Sequence, residues 1–150
     1  MKKLILIRGA PGSGKSTLAK RLKREAREGG LWVFHVEADD FFVNKRDEYH
    51  YAPERLHRAH DWCKSKVASH VGVSDMVIVA NCFTCGDHLA PYVEMGTRAG
   101  VEVEVIVCTG QYKNVHGVPD DVVDRMQKTA DPVSVLKERF PKVKFSRNPS

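Results

Sequence analysis

The chain has 150 residues, a length typical of one domain, and we expect residues 1–150 to form a single domain. Hydrophobic residues make up 42% of the chain and charged residues 29%, a composition that excludes a disordered or fibrous protein. Its apolar runs are far shorter than the ~20 residues that a membrane-spanning helix needs, and its N-terminus does not have the pattern of a secretory signal. We therefore expect a cytoplasmic protein that does not contact a membrane.

The charge balance is positive, because 24 Lys and Arg residues stand against 19 Asp and Glu residues and give a net charge of +5. Such a balance favours anionic partners, nucleotides or nucleic acid, although many domains with this charge bind neither. Since nothing in the sequence points to a secreted protein, we expect the four cysteines to be reduced thiols. They are Cys63, Cys82, Cys85 and Cys108.

Predicted strands and helices alternate along most of the chain. Apolar and helical periodicity predict, in chain order, a strand over 2–8, a helix over 16–28, a strand over 31–37 and a helix over 53–71. A strand over 76–80, a helix over 88–99 and a strand over 101–108 follow. Beyond a loop over 109–119, we predict helices over 120–129 and 132–140 and a loose polar tail over 141–150. This alternation is typical of an α/β fold with a parallel sheet flanked by helices.

The loop after the first strand carries the strongest signal in the chain, Gly9-Ala10-Pro11-Gly12-Ser13-Gly14-Lys15-Ser16. It matches the pattern G-x-x-x-x-G-K-[ST] in the context that a phosphate-binding loop (P-loop) requires, between a strand and a helix. Backbone N–H groups of such a loop surround a phosphate, and the helix N-terminus adds partial positive charge.

This loop predicts the binding of ATP and Mg²⁺. Lys15 is expected to contact the β- and γ-phosphates, and the Ser16 hydroxyl to bind Mg²⁺. The predicted nucleotide-binding residues are Gly9, Ala10, Pro11, Gly12, Ser13, Gly14, Lys15, Ser16 and Thr17. With this motif, the expected fold class becomes a three-layer P-loop NTPase of the kinase type.

Two acidic residues follow the second predicted strand. A kinase needs a group near the γ-phosphate that takes the proton of the acceptor hydroxyl. Asp39 and Asp40 are candidates because ligands of open α/β sheets gather at the carboxyl ends of the strands. The alternative is that both carboxylates cap the next turn. The N-K-x-D pattern over residues 44–47 resembles a guanine-recognition motif, but it follows Lys15 too closely, so we interpret it as a polar loop.

Several segments together resemble the P-loop kinase domain of bacteriophage polynucleotide kinases and, more closely, their bacterial and eukaryotic ATP-binding relatives. The resemblance covers about residues 3–130. Besides the P-loop, it rests on Glu37-Ala38-Asp39-Asp40-Phe41-Phe42, Ala59-His60-Asp61-Trp62-Cys63, Val79-Ala80-Asn81-Cys82-Phe83-Thr84 and Asn114-Val115-His116-Gly117-Val118-Pro119. It implies that Asp39 is the general base and that Lys113 stands where the family's lid carries a catalytic arginine.

The chain departs from the phage pattern at three positions. Phe42 replaces a basic residue that binds the acceptor's phosphate, and Asn81 stands where an aspartate ends the third strand. We expect Asn81 to hydrogen-bond a metal-bound water or to position Asp39. Lys113 keeps the positive charge of the lid but lacks the two-pronged geometry of arginine. These departures concern the acceptor more than the binding of ATP.

The sequence therefore predicts a kinase that transfers the γ-phosphoryl group of ATP to a hydroxyl, with the 5′-OH of DNA or RNA as the expected acceptor. One alternative is a kinase of a nucleoside, nucleotide or other small metabolite. Another is a nucleotide-binding or ATPase module that regulates a partner. Protein partners are not predicted by any pattern in the chain.

Four further residues or motifs were weighed for function. Cys82-x-x-Cys85 lacks a second ligand pair, so ordinary thiols are favoured over a zinc site. His60 is predicted to share the inner face of its helix with Cys63. His116 lies in the expected lid, where a phosphate contact and a loop-ordering hydrogen bond are equally supported. Arg125 follows on the next helix, and we favour a surface role for it.

Overall fold

Five parallel strands form one sheet in the computed structural model, which describes residues 1–112 and 117–148. The strands are β1 (Lys3–Arg8), β2 (Val33–Val36), β3 (Met76–Asn81), β4 (Glu102–Cys108) and β5 (Lys144–Asn148). Their order across the sheet is β2-β3-β1-β4-β5, and every neighbouring pair is parallel. All carboxyl ends therefore lie along one edge, where loops from several strands meet.

Helices cover both faces of this sheet, which confirms the expected three-layer α/β fold. The helices are α1 (Lys15–Glu28), α2 (Leu56–His70), α3 (Gly86–Arg98), α4 (Asp120–Thr129) and α5 (Val133–Arg139). Two short 3₁₀ helices, Ala38–Phe42 and Pro53–Arg55, precede α2. The predicted helix over 53–71 is thus a 3₁₀ turn followed by an α-helix.

The two core clusters lie on opposite faces of the sheet. Residues of α1, among them Leu18 and Ala19, pack against Ile5, Ile7 and Ile78. The larger cluster joins the opposite face of β1, β3 and β4 to α2, α3 and α5. Because β1 and β3 are covered on both sides, their sequences are continuous apolar runs, as buried parallel strands require.

The C-terminal tail corrects one prediction. Instead of a loose polar segment over 141–150, residues Lys144–Asn148 form β5, which pairs with β4. Among the described residues of this segment, Val143 and Phe145 pack against the core, whereas Lys144, Ser146 and Arg147 are exposed. An edge strand with so few apolar residues is formed through its neighbour, because the hydrogen bonds come from β4.

The inner face of α2 also differs from the prediction. Ala59, Cys63 and Val67 are fully buried at i, i+4 and i+8, whereas His60 is exposed. Cys63 and Val67 lie on the predicted face, but the centre of the buried face is shifted by roughly 30° around the helix, so that Ala59 and not His60 completes it. In the described residues, no helix is both long enough and apolar enough to cross a lipid bilayer.

Candidate nucleotide and phosphoryl-acceptor site

The predicted phosphate-binding loop connects β1 to α1 at the carboxyl edge of the sheet. Gly12 and Gly14 adopt φ values of 81° and 95°, a left-handed conformation in which glycine is favoured. Helix α1 begins directly afterwards at Lys15, and no acidic side chain lies in its first turn. The loop therefore turns tightly into a helix N-terminus that carries positive partial charge and has no acidic residue of its own in the first turn.

The loop is held closely against the sheet. A Cβ atom on Gly9 would overlap with the Ser13 hydroxyl and lie 2.7 Å from the carbonyl oxygen of Cys108. From the far side, the N–H groups of Gly110 and Tyr112 donate to the carbonyl oxygens of Ser13 and Gly12. The loop is thus braced by the residues that follow β4, and its first glycine has no room for a side chain.

Two polar groups of the loop have local geometry that suits an anion. The Lys15 ammonium donates to the carbonyl oxygen of Ala10 at 3.2 Å, which places it across the loop. The Ser13 hydroxyl is buried and has no hydrogen-bond partner within the described part of the chain. Burying a hydroxyl without a partner is costly, and a phosphate oxygen is a suitable acceptor for it. The residues present therefore fit a bound nucleotide phosphate.

Sequence reasoning did not single out Glu37 as a site residue, yet its carboxylate contacts the loop directly. Its Oε1 accepts a hydrogen bond from the Ser16 hydroxyl at 2.6 Å, and its Oε2 lies 2.8 Å from Nε2 of His35. Burial alone would raise the pKa of Glu37, but these two hydrogen bonds and the charge of Lys15 outweigh it and hold the pKa below its ordinary value. Glu37 is therefore a buried carboxylate that remains ionised beside the loop.

This arrangement also suits magnesium at the predicted position. The hard oxygen atoms that Mg²⁺ prefers are present in the Ser16 hydroxyl and the phosphates of a bound nucleotide. Glu37 orients the Ser16 hydroxyl by its hydrogen bond.

One feature of the sequence could have indicated Glu37: it is the last residue of the predicted strand over 31–37, where ligand-binding residues of a parallel sheet lie.

Asp39 lies on the 3₁₀ helix Ala38–Phe42, which starts at the carboxyl edge beside β3. Oδ1 of Asn81, the last residue of β3, accepts the N–H of Ala38 at 2.9 Å. Asp40 fixes the same turn, because its Oδ2 accepts the N–H of Glu37 at 3.0 Å. Asn81 thus acts on the backbone that carries Asp39, whereas Asp40 serves as the cap of the turn.

Lys15 and Asp39 lie within electrostatic range of the same side chain. The half-buried thiol of Cys82 follows β3, and its carbonyl oxygen accepts the N–H of Gly9. Burial raises the pKa of Cys82, while the charge of Lys15 lowers it and that of Asp39 raises it. The lysine of the loop and the aspartate after β2 therefore both lie close enough to Cys82 to act on its thiol electrostatically.

Phe42 stands at the position where the phage kinases carry a basic residue that binds the acceptor's phosphate, but its side chain does not face the solvent. Its side chain is only 5% exposed and belongs to the main core cluster. Phe41 lies on the outside of the same 3₁₀ helix, with the guanidinium of Arg55 4.9 Å above its ring. The nearby N-K-x-D segment forms an exposed turn in which Oδ1 of Asn44 accepts the N–H groups of Arg46 and Glu48.

A buried arginine connects the segments behind the site. Arg8, the last residue of β1, is 5% exposed and donates to the carbonyl oxygens of Phe83 at 2.9 Å, Asp131 at 3.0 Å and Thr84 at 3.2 Å. It thereby joins the start of the phosphate loop to the loop after β3 and to the connection between α4 and α5. Nothing in the local sequence pattern indicates this role, because the three acceptors are backbone atoms distant in sequence.

A cleft of about 210 Å³ opens on the side of the loop away from Asp39. It contains two of the predicted nucleotide-binding residues, together with side chains from α1, the loop after β4 and β5. Its lining residues are Gly14, Thr17, Leu18, Arg21, Tyr112 and Asn148. The edge strand β5, which the sequence did not predict, therefore contributes to a wall of this cleft.

Comparison with known proteins places the chain in a family. A family model described as an AAA domain (AAA_33) matches residues 4–113. The chain belongs to this family. It is 31% identical to the uncharacterized protein PM0531 of Pasteurella multocida over 137 residues, 84% of this chain and 75% of that protein. It is also 28% identical to human NEDD4-binding protein 2 over 134 residues, which span 82% of this chain but only 7% of that protein.

Solved structures with a similar fold include several kinase-type P-loop proteins. The TM-score is 0.70 to Chaetomium thermophilum Kti12 in complex with ADP-AlF3, at 14% identity, covering 95% of this chain and 87% of that chain. It is 0.56 to Mycobacterium tuberculosis APS kinase CysC in complex with AMPPNP and APS, at 16% identity over 97% and 78% of the two chains. For the Pnkp1/Rnl/Hen1 RNA repair complex it is 0.57, at 22% identity over 94% and 43%. This AAA-domain protein thus has the P-loop kinase-type fold that the resemblance implied.

The remaining predicted residues of this family member lie elsewhere. Lys113 and His116 lie outside the described residues. Arg125 is exposed on α4. Cys82 and Cys85 are both half-buried, and residues 1–112 and 117–148 contain no group of three or more His, Cys, Asp and Glu side chains able to hold a metal ion.

Proposed function

We propose that this P-loop kinase-type domain transfers the γ-phosphoryl group of ATP to a hydroxyl group, and that the acceptor is the 5′-OH of a polynucleotide. The observation that carries the proposal is the 2.6 Å hydrogen bond from the Ser16 hydroxyl to Glu37, because Glu37 caps the 3₁₀ helix that carries Asp39 and so joins this helix to the phosphate loop. A phosphate-binding lysine and a nearby carboxylate are the two groups that a hydroxyl kinase needs together.

On the nucleotide side, backbone N–H groups of Gly12–Ser16 would hold the phosphates, and the cleft lined by Thr17, Arg21 and Tyr112 would hold the rest of the nucleotide. The Lys15 ammonium would leave the carbonyl oxygen of Ala10 and contact phosphate oxygens. Magnesium, when bound at Ser16, would neutralise part of the phosphate charge. Glu37 keeps the Ser16 hydroxyl oriented for that role.

On the acceptor side, the Asp39 carboxylate would accept the proton of the attacking hydroxyl. The acceptor oxygen forms a bond to the γ-phosphorus, the bond from this phosphorus to the β,γ-bridging oxygen breaks, and ADP leaves. Most of the acceleration would come from positioning and from charge neutralisation, as is general in phosphoryl transfer. Lys113 is proposed, on the family resemblance alone, to close over the transferring group.

The polynucleotide acceptor is supported by positive charge and by one structural neighbour. The exposed side of α1 carries Lys20, Arg21, Arg24 and Arg27, and the chain has a net charge of +5. On α2, His60 lies within electrostatic range of both Asp39 and Lys64. One of the solved structures with this fold is a chain of the Pnkp1/Rnl/Hen1 RNA repair complex.

The test is transfer of label from γ-labelled ATP to 5′-OH oligonucleotides of DNA and RNA, with 5′-phosphorylated oligonucleotides as the matched control. We expect label only on the 5′-OH ends. Lys15→Ala and Asp39→Ala should each abolish transfer, and Asp39→Ala should bind ATP nearly as tightly as the wild type. Full transfer by the Asp39→Ala protein would remove this residue from the role of base.

The buried side chain of Phe42 favours a second candidate, a kinase of a small acceptor such as a nucleoside, because no cation stands at the position that binds an acceptor phosphate in the phage enzymes. Salt distinguishes the two candidates. Binding of an oligonucleotide that neutralises many phosphates weakens by several decades between about 50 and 200 mM salt, whereas binding of a nucleoside is nearly insensitive to it. Label that appears only as free phosphate would favour an ATPase module instead.

A further inference from the structure

We propose that Tyr49 is a positioning residue for the phosphoryl acceptor, whose hydroxyl holds the Asp39 carboxylate in the orientation that receives the acceptor's proton. This inference rests on the proposed kinase function and adds a residue to it. The Tyr49 hydroxyl donates a hydrogen bond to Oδ1 of Asp39 at 3.1 Å, across ten residues of sequence.

Tyr49 is suited to act as a lasting donor. Its side chain is half-buried, and burial raises its pKa, as do the charge of Asp39 and the hydrogen bond between them. The phenol therefore keeps its proton at neutral pH and donates to the carboxylate. A carboxylate has about four lone-pair positions, so this bond leaves Asp39 with the capacity to accept the proton of an acceptor hydroxyl.

The backbone around Tyr49 holds its ring in place. Tyr49 pairs with Val43 in an isolated antiparallel bridge, and the N–H of His50 donates to the carbonyl oxygen of Phe42 at 2.8 Å. The segment 43–49 thus folds back onto the end of the 3₁₀ helix that carries Asp39.

Two aromatic rings pack against the ring of Tyr49. The Phe42 ring, anchored in the core, meets Tyr49 edge-on with a centroid distance of 6.2 Å. The Tyr51 ring runs parallel to that of Tyr49 with centroids 6.4 Å apart. Because backbone and rings both restrain Tyr49, its hydroxyl presents a fixed donor to Asp39, and a fixed donor restricts the rotation of the carboxylate. Proton transfer depends on such restriction, since misplacement of a catalytic group by ~1 Å is able to cost about 100-fold in rate.

Ionisable groups from several elements lie within electrostatic range of Asp39. Asp40 lies on the same 3₁₀ helix, His60 faces it from α2, Cys82 from the loop after β3, and Tyr49 from the folded-back segment. Tyr49 is the one among them for which a hydrogen bond to Asp39 is seen in the described structure. Its removal therefore changes the carboxylate in a way that loss of packing alone does not.

The test compares Tyr49→Phe with Tyr51→Phe, each of which loses one phenolic hydroxyl and keeps its ring. The Tyr51 side chain is 50% exposed, and its hydroxyl makes no hydrogen bond in the described residues. For Tyr49→Phe we expect kcat to fall about 10-fold, as for loss of a hydrogen bond to a charged group, with KM for ATP unchanged. The loss should fall on kcat, because the hydrogen bond acts on Asp39 and not on the phosphate loop. Tyr51→Phe should match the wild type in both measurements.

A second measurement does not require turnover. The NMR signal of the Asp39 carboxyl carbon should differ from that of the wild type in Tyr49→Phe and should match it in Tyr51→Phe, because only the first variant loses the hydrogen bond. An unchanged carboxyl signal in Tyr49→Phe, or equal losses of kcat in both variants, would overturn the inference. If the wild type transfers phosphate to no hydroxyl, the proposed function fails and with it the catalytic role of Tyr49, while a changed carboxyl signal would still establish the hydrogen bond itself.

Discussion

The side chain of Asn81 offers a direct test of how the sheet positions Asp39. Asn81 is 8% exposed, and its Oδ1 accepts the N–H of Ala38, which is itself buried. The substitution Asn81→Ala removes this acceptor and leaves the N–H group without a partner at the start of the 3₁₀ helix. An unsatisfied buried donor costs about 1–3 kcal/mol. For a chain of this length, that corresponds to a fall in Tm of roughly 2–12 °C.

The matched control is Asn44→Ala. Oδ1 of Asn44 accepts two backbone N–H groups, but both lie in an exposed turn where water replaces the lost acceptor. We expect this control to lose no more than about 0.5 kcal/mol. The two variants thus remove the same amide from a buried and from an exposed environment.

The assays are urea unfolding, ATP binding and transfer of labelled phosphate. Asn81→Ala should lower both the free energy of unfolding and kcat, because the turn that carries Asp39 loses its anchor to β3. ATP affinity should stay within about twofold, since the phosphate loop is braced by Gly110 and Tyr112 and not by Asn81. The reasoning fails if Asn81→Ala is as stable as Asn44→Ala, or if ATP binding falls as much as transfer does.

Three further outcomes are expected. Gly9→Ala should abolish ATP binding, because its Cβ would lie 2.7 Å from a backbone carbonyl oxygen. Gly29→Ala, with a nearest contact of 3.4 Å, should bind ATP as the wild type does when both variants are titrated with a fluorescent ATP analogue. The pKa of Glu37 is lower in the folded chain than its ordinary 4.5, so the stability that its ionised carboxylate contributes is complete above about pH 4.5 and is lost as the pH falls further. Glu37→Gln should therefore flatten the pH dependence of the free energy of unfolding below pH 4.5, and an unchanged slope would contradict this. Arg8→Leu should lower the Tm by several degrees, because buried carbonyl oxygens lose their donor, and a Tm equal to that of the wild type would refute this role.

Local patterns were sufficient for the fold class and the phosphate loop. The loop motif is contiguous, and its glycines are required by the left-handed turns at Gly12 and Gly14. The strands β1 and β3 are continuous apolar runs because both of their faces are covered. Asp39 was a candidate because the residues that follow a parallel strand lie at the ligand-binding edge. Each of these inferences needs only neighbouring residues.

What local patterns could not predict depends on contacts between distant segments. Strand β5 forms because β4 supplies its hydrogen bonds, and two apolar residues among polar ones do not indicate it in isolation. The rotation of α2 that exposes His60 and buries Ala59 depends on the space left by the sheet, since alanine is small enough to lie in either environment.

The candidate site shows the same division. The sequence by itself determined that a phosphate loop and an acidic pair lie at one edge of a parallel sheet, because motif and periodicity are local properties of the chain. Only the tertiary structure decided which groups hold them there: Glu37 on Ser16, Asn81 under the turn of Asp39, and Tyr49 on its carboxylate. These partners are 10 to 43 residues apart in sequence, and their hydrogen bonds exist only once the strands and loops have been brought together.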